Sequence, residues 1–309
     1  MRQVVGIGET ILDILFKENQ PFAAVPGGSV FNGMVSLSRL GIPVSFVSEA
    51  GHDRVGKLVT DFMASNGMTT DFIDFFSDGK SPVSLAFLNE VNDADYLFYT
   101  DYPRQRLNIK FPVIHQDDIV VFGSYYALNP LLRERVLEFL EYAKDRKALL
   151  YYDLNFRKAH MHEKIQIRPA VMDNYEYADI VRGSDEDFMN MYGNTDMESV
   201  YKDEVRYYCK QFVTTHGMEG VNLFTGSFQK HYDLPAVIDP VSTIGAGDNF
   251  NAGIVYGLIK YGVRRDDLAN LSDLVWEKII SCGMELAKEV CRDHLNYVSH
   301  EFATKYKNV

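Results

Sequence analysis

The sequence predicts an α/β fold in which a mostly parallel central sheet is covered by helices on both faces. Short β-branched or apolar runs alternate with amphipathic helical stretches along the 309 residues, and this alternation is typical of βαβ units. Hydrophobic residues make up 46% of the chain, enough for a large buried core. No repeat, low-complexity tract or Pro/Gly/Ser-rich linker divides the sequence, so we expect a single domain over residues 1–309.

Six apolar runs are predicted to be strands of this sheet, with helical stretches between them. The predicted strands are Gln3–Ile7, Val44–Val47, Ile119–Phe122, Ala148–Tyr152, Ile180–Val181 and Phe212–Thr215. The predicted helices include Val55–Ser65, Leu131–Lys144 and Asp203–Cys209. Because open sheets of this kind bind ligands beyond the carboxyl ends of their strands, we expect the functional residues in the loops at that edge.

Two segments do not fit a parallel core. Phe22–Pro26 is a short extended piece, and Val83–Asn89 with Tyr96–Tyr99 has the pattern of a hairpin across a turn at residues 92–95. Their apolar residues lack a helical period. We interpret them as a small antiparallel flap over the main sheet, and the alternative is an edge hairpin of that sheet.

A glycine-rich loop separates an extended stretch at 236–241 from a helix predicted at Phe250–Tyr261. Its sequence is Thr243-Ile244-Gly245-Ala246-Gly247-Asp248-Asn249. Small residues leave the backbone N–H groups open to an anion, and the helix start adds unpaired donors and a positive dipole end. A carboxylate beside such an anion site suits a base that deprotonates a hydroxyl next to a migrating phosphoryl group. The alternative is a capped turn in which Asp248 only accepts bonds from the helix N–H groups.

A second glycine loop, Pro26-Gly27-Gly28-Ser29, leads into a helix that ends at Gly41. The apolar residues of this helix share one side, and a glycine followed by Pro43 is a typical helix stop. Ser29 is predicted to cap the helix start. Asn32 lies in the first turn, where its amide can face whatever ligand the two glycines allow to approach.

Composition excludes several classes of protein. The formal net charge is −12, from 43 acidic and 31 basic residues, so a nucleic-acid partner is not expected. We find no signal peptide and no apolar run long enough for a membrane span, so no membrane association is expected. Three unclustered cysteines fit a reduced, cytoplasmic protein better than a disulfide scaffold.

Six short pieces, in this order and at these spacings, resemble the ribokinase-like carbohydrate kinases, also called the phosphofructokinase-B sugar kinases. The resemblance spans roughly residues 3 to 290. One Gly-Ala-Gly-Asp is a weak signal, but six pieces in order are specific. The pieces are Gly8-Glu9-Thr10-Ile11-Leu12-Asp13, Gly27-Gly28-Ser29-Val30-Phe31-Asn32, Gly51-His52-Asp53 with Gly56, Asp153-Leu154-Asn155-Phe156-Arg157, Thr215-His216-Gly217-Met218-Glu219-Gly220 and Gly245-Ala246-Gly247-Asp248.

The resemblance implies a three-layer α/β/α fold with a small β lid, formed from about residues 14–27 and 81–105, that closes over a sugar. It implies that Asp248 is the catalytic base and that the amides of Gly245, Ala246 and Gly247 hold the transferring phosphoryl group. The sugar-binding residues that it implies are Asp13, Gly27, Gly28, Asn32, Asn155 and Arg157. The nucleotide-binding residues that it implies are Thr215, Gly217, Gly220, Ser184 and Asp187.

The resemblance implies ATP and Mg²⁺ as cofactors. The chain departs from the family pattern at three places. Ser242 stands where the family usually has an aspartate associated with monovalent-cation binding, so potassium activation is not carried over. Ser184-Asp185-Glu186-Asp187 replaces an Asn-x-x-Glu linked to magnesium and phosphate, so no metal ligand is assigned. The segment 287–296 matches the family's adenine-contacting segment poorly.

From this resemblance we expect an ATP-dependent sugar kinase that transfers the γ-phosphoryl group to a primary hydroxyl, with fructose as the expected sugar. Alternatives on the same fold are a 2-keto-3-deoxygluconate kinase and a nucleoside kinase, for which Phe87, Phe98 and Tyr99 on the flap offer an aromatic slot. An alternative of another class is a non-catalytic sugar-binding regulator. The exposed flap is also the expected contact surface of a homodimer.

Overall fold

The computed structural model describes residues 2–88, 94–234 and 240–306, and it has the α/β fold that the sequence predicts. The predicted turn at 92–95 and the extended stretch at 236–241 lie partly outside these residues. Each of the six predicted strands is confirmed, within a few residues at its ends. The strands are β1 (Val4–Ile7), β2 (Ile11–Lys17), β3 (Gln20–Gly27), β4 (Val44–Gly51), β5 (Ile73–Phe76), β6 (Lys80–Leu88), β7 (Ala94–Asp101), β8 (Ile119–Gly123), β9 (Leu149–Asp153), β10 (Ile180–Ser184), β11 (Gln211–Thr215), β12 (Val221–Phe224) and β13 (Gln229–Tyr232).

The α-helices of the same residues surround the larger of two sheets. They are α1 (Ser29–Arg39), α2 (Arg54–Ser65), α3 (Arg133–Asp145), α4 (Lys164–Tyr177), α5 (Asp185–Tyr192), α6 (Met197–Val200), α7 (Ala246–Lys260), α8 (Asp273–Val290) and α9 (His300–Thr304). In the described ranges no helix combines the length and apolar character that crossing a bilayer requires.

The large sheet has nine strands in the order β13-β12-β11-β10-β9-β8-β1-β4-β5. Its pairs from β5 to β11 are parallel, and β12 and β13 add two antiparallel pairs at one edge. Alternate residues of a strand face opposite helix layers. On β8, Ile119 and Val121 pack in a core with α1, α7 and α8, whereas Val120 and Phe122 pack in a second core with α3, α4 and α5.

The small sheet has four strands in the order β3-β2-β6-β7. The flap is therefore a separate sheet, and the alternative of an edge hairpin is wrong. The prediction of an antiparallel flap needs a correction, because its central pair β2–β6 is parallel while the outer pairs are antiparallel. The parallel pair arises because the chain passes through α1, β4, α2 and β5 before it returns as β6.

Two local predictions are wrong. The helix predicted at Asp203–Cys209 lies earlier, since α6 continues through a π-helical segment at Tyr201–Val205 and a turn follows. Asp196 sets its start by accepting a hydrogen bond from the Glu198 N–H. Ser29 does not cap α1: Gly28 does, with a φ of 131°, and a Cβ there would lie 2.2 Å from the Glu9 carbonyl oxygen.

Candidate active site

The glycine loop of residues 245–247 leads directly into α7. Gly245 caps the helix with a φ of 77°, and a Cβ at this position would lie 2.9 Å from the carbonyl oxygen of Asn296. Ala246 donates its N–H to the Thr243 carbonyl at 3.2 Å, so this amide is engaged in a turn. The N–H of Gly247 belongs to the first helical turn, whose donors have no partner within the helix. These features leave a compact, positively polarised surface at the start of α7.

Asp248 lies in the first turn of α7 and faces α1. The Asn32 side-chain amide donates to its Oδ2 at 2.8 Å. Desolvation by the surrounding protein raises the pKa of Asp248 to about 7, although the Asn32 hydrogen bond and the positive charge of Arg157 lower it. A carboxylate with a pKa near neutral pH can accept a proton from a hydroxyl.

Asp13 lies on β2 of the small sheet, buried beside the second glycine loop. Ser84 of β6 donates its hydroxyl to Asp13 Oδ1. Burial raises the pKa of Asp13 to about 6, and the Ser84 hydrogen bond lowers it in part. A Cβ on Gly27 would lie 2.3 Å from Asp13 Oδ2, so only glycine leaves room for this carboxylate. Gly27 and Gly28 therefore allow the backbone that joins β3 to α1 to approach Asp13 and Glu9 closely.

Arg157 lies beyond the carboxyl end of β9, and Tyr96 of β7 reaches the same cleft from the small sheet. The charge of Arg157 acts on both Asp248 and Tyr96. Among the described residues the Arg157 guanidinium has no hydrogen-bonded partner, and it is exposed. Burial and the nearby Asp13 carboxylate raise the pKa of the Tyr96 hydroxyl, so this hydroxyl stays protonated as a donor. The Tyr96 ring stacks on Phe98, with centroids 5.8 Å apart.

A buried ionic network connects the ends of β9, β10 and β11 to the glycine loop. Arg182 donates to Asp153 Oδ1 at 3.0 Å and to the Thr215 hydroxyl at 2.7 Å. The other oxygen of Asp153 accepts from Asn251 of α7 at 2.7 Å. A Cβ on Gly247 would lie 3.2 Å from the Arg182 guanidinium. A fixed cation therefore lies against the glycine loop, and Thr215 is linked to that loop through Arg182.

The other residues predicted to bind nucleotide lie at the same edge of the sheet. Ser184 and Asp187 form a capping box at the start of α5, with Asp187 Oδ2 accepting from the Ser184 N–H at 2.7 Å. Gly217 and Gly220 follow β11 with φ values of 52° and 110°. The charge of Asp187 acts on Arg182, and Gly217 and Gly220 follow the strand whose Thr215 binds Arg182. Of the residues predicted to bind sugar, Asn32 and Arg157 act directly on Asp248.

Asn155 is the remaining residue predicted to bind sugar. It follows β9 with a left-handed φ of 38°, and its side chain is buried. This left-handed conformation is uncommon for a residue other than glycine, and such residues cluster at functional sites.

Sequence reasoning missed Arg182, Asn251, Ser84, Tyr96 and Glu9. A cation within the apolar run of β10 was a usable signal, because a buried charge requires a partner. Asn251, Ser84 and Tyr96 act through contacts between distant segments, which spacing does not reveal. Glu9 is half-buried, and burial together with the Asp13 carboxylate raises its pKa to about 7.

The arrangement can support one kind of chemistry well. Asp248 can take a proton, the start of α7 and Arg182 can stabilise negative charge, and Asp13 can hold a neighbouring hydroxyl. Among the described residues no group of three or more His, Cys, Asp or Glu side chains is placed to hold a metal ion. The arrangement of Asp248, the start of α7, Arg182 and Asp13 suits phosphoryl transfer to a hydroxyl.

Comparison with known proteins identifies the family. The profile of the pfkB family carbohydrate kinases matches residues 1–299. A probable fructokinase-4 of Arabidopsis thaliana is 24% identical, covering 88% of this chain and 87% of the relative. A 5-dehydro-2-deoxygluconokinase of Clostridium botulinum is 27% identical, covering 93% and 91% of the two chains.

Solved structures have the same fold. A fructokinase from Vibrio cholerae O395, in a form bound to fructose, ADP and calcium ion, has a TM-score of 0.84 at 18% identity and covers 99% of both chains. An aminoimidazole riboside kinase from Salmonella enterica, complexed with aminoimidazole riboside and an ATP analogue, has a TM-score of 0.82 at 21% identity and covers 99% of this chain and 100% of its own. With the match to the family profile over nearly the whole sequence, the chain belongs to the pfkB family of carbohydrate kinases and is an ATP-dependent sugar kinase.

Proposed function

We propose that the protein phosphorylates a primary hydroxyl of a small sugar, and that this sugar is fructose. The observation that carries the proposal is the juxtaposition of Asp248, hydrogen-bonded by Asn32 at 2.8 Å, with the glycine loop of residues 245–247. The charges of Asp13 and Asp248 both act on Tyr96, so Asp13 is a second carboxylate available to the sugar. An intact base and an intact loop favour catalysis over the role of a non-catalytic regulator.

In this mechanism the acceptor sugar lies between Asp13 and Asp248. Asp248 removes the proton of the attacking hydroxyl as the oxygen approaches the γ-phosphorus in line with the leaving oxygen. The first-turn amides of α7 and the Arg182 guanidinium stabilise the charge on the phosphoryl oxygens. Mg²⁺ on the nucleotide phosphates would supply further neutralisation. The small sheet, with residues 14–27 and 81–105 as the lid, would exclude water when it closes.

A sugar acid is the second candidate acceptor, and Arg157 is the observation that favours it. Its exposed guanidinium, unpaired within the described part of the chain, suits bidentate binding of a carboxylate. The 5-dehydro-2-deoxygluconokinase relative is named for an acceptor of this kind. A nucleoside acceptor is the third candidate, supported by the stacked rings of Tyr96 and Phe98. The aromatic slot predicted from Phe87, Phe98 and Tyr99 needs a correction, because Phe87 and Tyr99 lie on the face of the small sheet opposite to Phe98.

The proposal is tested by a screen of ATP-dependent phosphorylation over fructose, 2-keto-3-deoxygluconate, ribose, tagatose and several nucleosides. We expect the highest kcat/KM with fructose. Preference for the sugar acid, together with a larger loss for Arg157→Ala with the acid than with fructose, would favour the second candidate. Sugar binding without turnover of any acceptor would favour the regulator.

The residue at position 242 is poorly suited to bind a monovalent cation, so we expect potassium to stimulate the enzyme little. Ser242 is buried and neutral, and its hydroxyl accepts a hydrogen bond from the Ile244 N–H at 3.2 Å. A neutral oxygen holds an alkali ion less strongly than a carboxylate does. Activity would be compared in tetramethylammonium, sodium and potassium buffers at matched ionic strength. A large, saturable gain specific to potassium in the wild type would contradict the expectation, and Ser242→Asp should gain such a response.

We infer that a second copy of the chain covers the outer face of the small sheet. Leu97 and Tyr99 on this face are 51% and 59% exposed, and Phe16 stacks on Phe87 beside them. Sedimentation should give a dimer, and Leu97→Glu should shift it toward the monomer. A wild-type monomer at micromolar concentration would remove this part of the proposal.

We also infer that the protein works in the cytoplasm. All three cysteines are free, which fits a reducing compartment.

A further inference from the structure

The segment 296–298, which follows α8, is fixed in the core between α1 and α7. Asn249 of α7 donates its amide to the carbonyl oxygens of Asn296 and Gly245, each at 2.8 Å. The Val298 N–H donates to the Ser36 hydroxyl at 3.1 Å, and Arg39 donates to the Val298 carbonyl at 2.7 Å. The position of Asn296 is therefore determined by several hydrogen bonds that do not involve its own side chain.

The side chain of Asn296 extends from this segment toward the sugar carboxylate. Its Nδ2 is 3.5 Å from Asp13 Oδ2 and would lie 3.4 Å from a Cβ placed on Gly27. The backbone of the same residue contacts Gly245, as described above. Asn296 thus lies where the sugar carboxylate and the phosphoryl-binding loop meet.

Two amide oxygens near Asp13 and Asp248 lack a donor. Asn296 is 1% exposed, and its Oδ1 is buried with no hydrogen-bond partner among the described residues. The Oδ1 of Asn32 is in the same state, while its Nδ2 is bound to Asp248. Buried polar atoms in folded proteins are almost always paired, and an unpaired acceptor beside the Asp13 or Asp248 carboxylate points to a ligand that brings a donor.

Resting on the proposed sugar kinase function, we propose that Asn296 is a further acceptor-binding residue, whose Oδ1 takes a hydrogen bond from a sugar hydroxyl next to the one held by Asp13. A polyol is the class of ligand that supplies several such hydrogens at once. The amide orientation follows from the electrostatics, because Nδ2 faces the acidic Asp13 and Oδ1 is turned away from it. The resulting pair of Asp13 and Asn296 would recognise two neighbouring hydroxyl groups.

The test compares Asn296→Ala, Asn296→Ser and Asn296→Asp with the wild type, using D-fructose and ATP as the substrates. Asn296→Ala should raise the KM for fructose about tenfold, because the variant loses one or two neutral hydrogen bonds. It should change the KM for ATP little. Asn296→Ser should lose less, since its hydroxyl can still accept. Asn296→Asp should bind fructose more weakly as pH rises, because ionisation places a second negative charge beside Asp13.

The matched control is Asn174→Ala. Asn174 is a buried asparagine of α4 whose Oδ1 accepts from Arg133 and whose Nδ2 is also unpaired within the described ranges, but it lies in the helix layer opposite to α1 and α7. This variant should keep both KM values. If folded Asn296→Ala, or Asn296→Ser where the alanine variant does not fold, keeps the wild-type KM for fructose, the inference is wrong. If the wild type phosphorylates another screened acceptor, that compound replaces fructose. If it phosphorylates none, the proposed function fails first.

Discussion

Asp248→Asn should reduce kcat by about 10²–10⁴-fold, which is the usual contribution of a general base. The substitution keeps the size of the side chain and its place in the first turn of α7, but it removes the basic oxygen that faces Asn32. Fructose and ATP should still bind, because Asp13 and the loop amides are unchanged. Steady-state kinetics and calorimetry of each ligand measure the two effects separately.

Asp196→Asn is the control for this change, since it alters another aspartate at a helix start, one that lies at the surface. It should leave kcat unchanged. A folded Asp248→Asn enzyme with wild-type kcat would show that the proton leaves by another route. Loss of both binding and turnover would instead indicate a structural role for Asp248.

Because Asp248 titrates, we expect kcat/KM of the wild type to depend on pH. Burial raises the pKa of Asp248 to about 7, so the ionised form is lost as pH falls through that value and kcat/KM should fall with it. The raised pKa values of Glu9, about 7, and Asp13, about 6, act in the same direction. Above pH 7 the profile should level off. The residual activity of Asp248→Asn should show a weaker acid limb than that of the wild type.

The central sheet was predictable because each strand carries its own signal. The runs Val4–Ile7 and Ile119–Gly123 are apolar throughout, as expected for strands covered on both faces. The small sheet was less predictable, since the parallel pairing of β2 with β6 joins segments that are about 70 residues apart. A hairpin signal is local, whereas this pairing depends on the path of the chain between the two strands.

The candidate site divides in the same way. Glycine loops with Asp248 and Asn32 have local patterns, because tight turns and helix starts require particular residues. Asn296 and Ser84 belong to no local pattern, and their importance comes from Asp13, which is 283 residues away from one and 71 from the other. Such residues can be found only when the folded chain brings the segments together.

The second large effect is expected for Asp13→Ala, which should weaken fructose binding about 100-fold and leave ATP binding nearly unchanged. A carboxylate that accepts from a neighbouring hydroxyl group forms a charge-assisted bond of about 1.5–3 kcal/mol, and its removal leaves sugar hydroxyls unpaired in a closed cleft. Asp13 lies on the small sheet, whereas the nucleotide is expected at the ends of β10 and β11, so the two affinities should separate.

Calorimetry of fructose and of ATP, each alone, decides the assignment of Asp13. Ser84→Ala is the matched control on the same sheet: it removes a donor to Asp13 while keeping the carboxylate, so fructose affinity should fall much less. Because the Ser84 hydroxyl holds the pKa of Asp13 down, its loss should also move the acid limb of fructose binding to higher pH. If ATP affinity falls in Asp13→Ala and fructose affinity does not, Asp13 belongs to the nucleotide site.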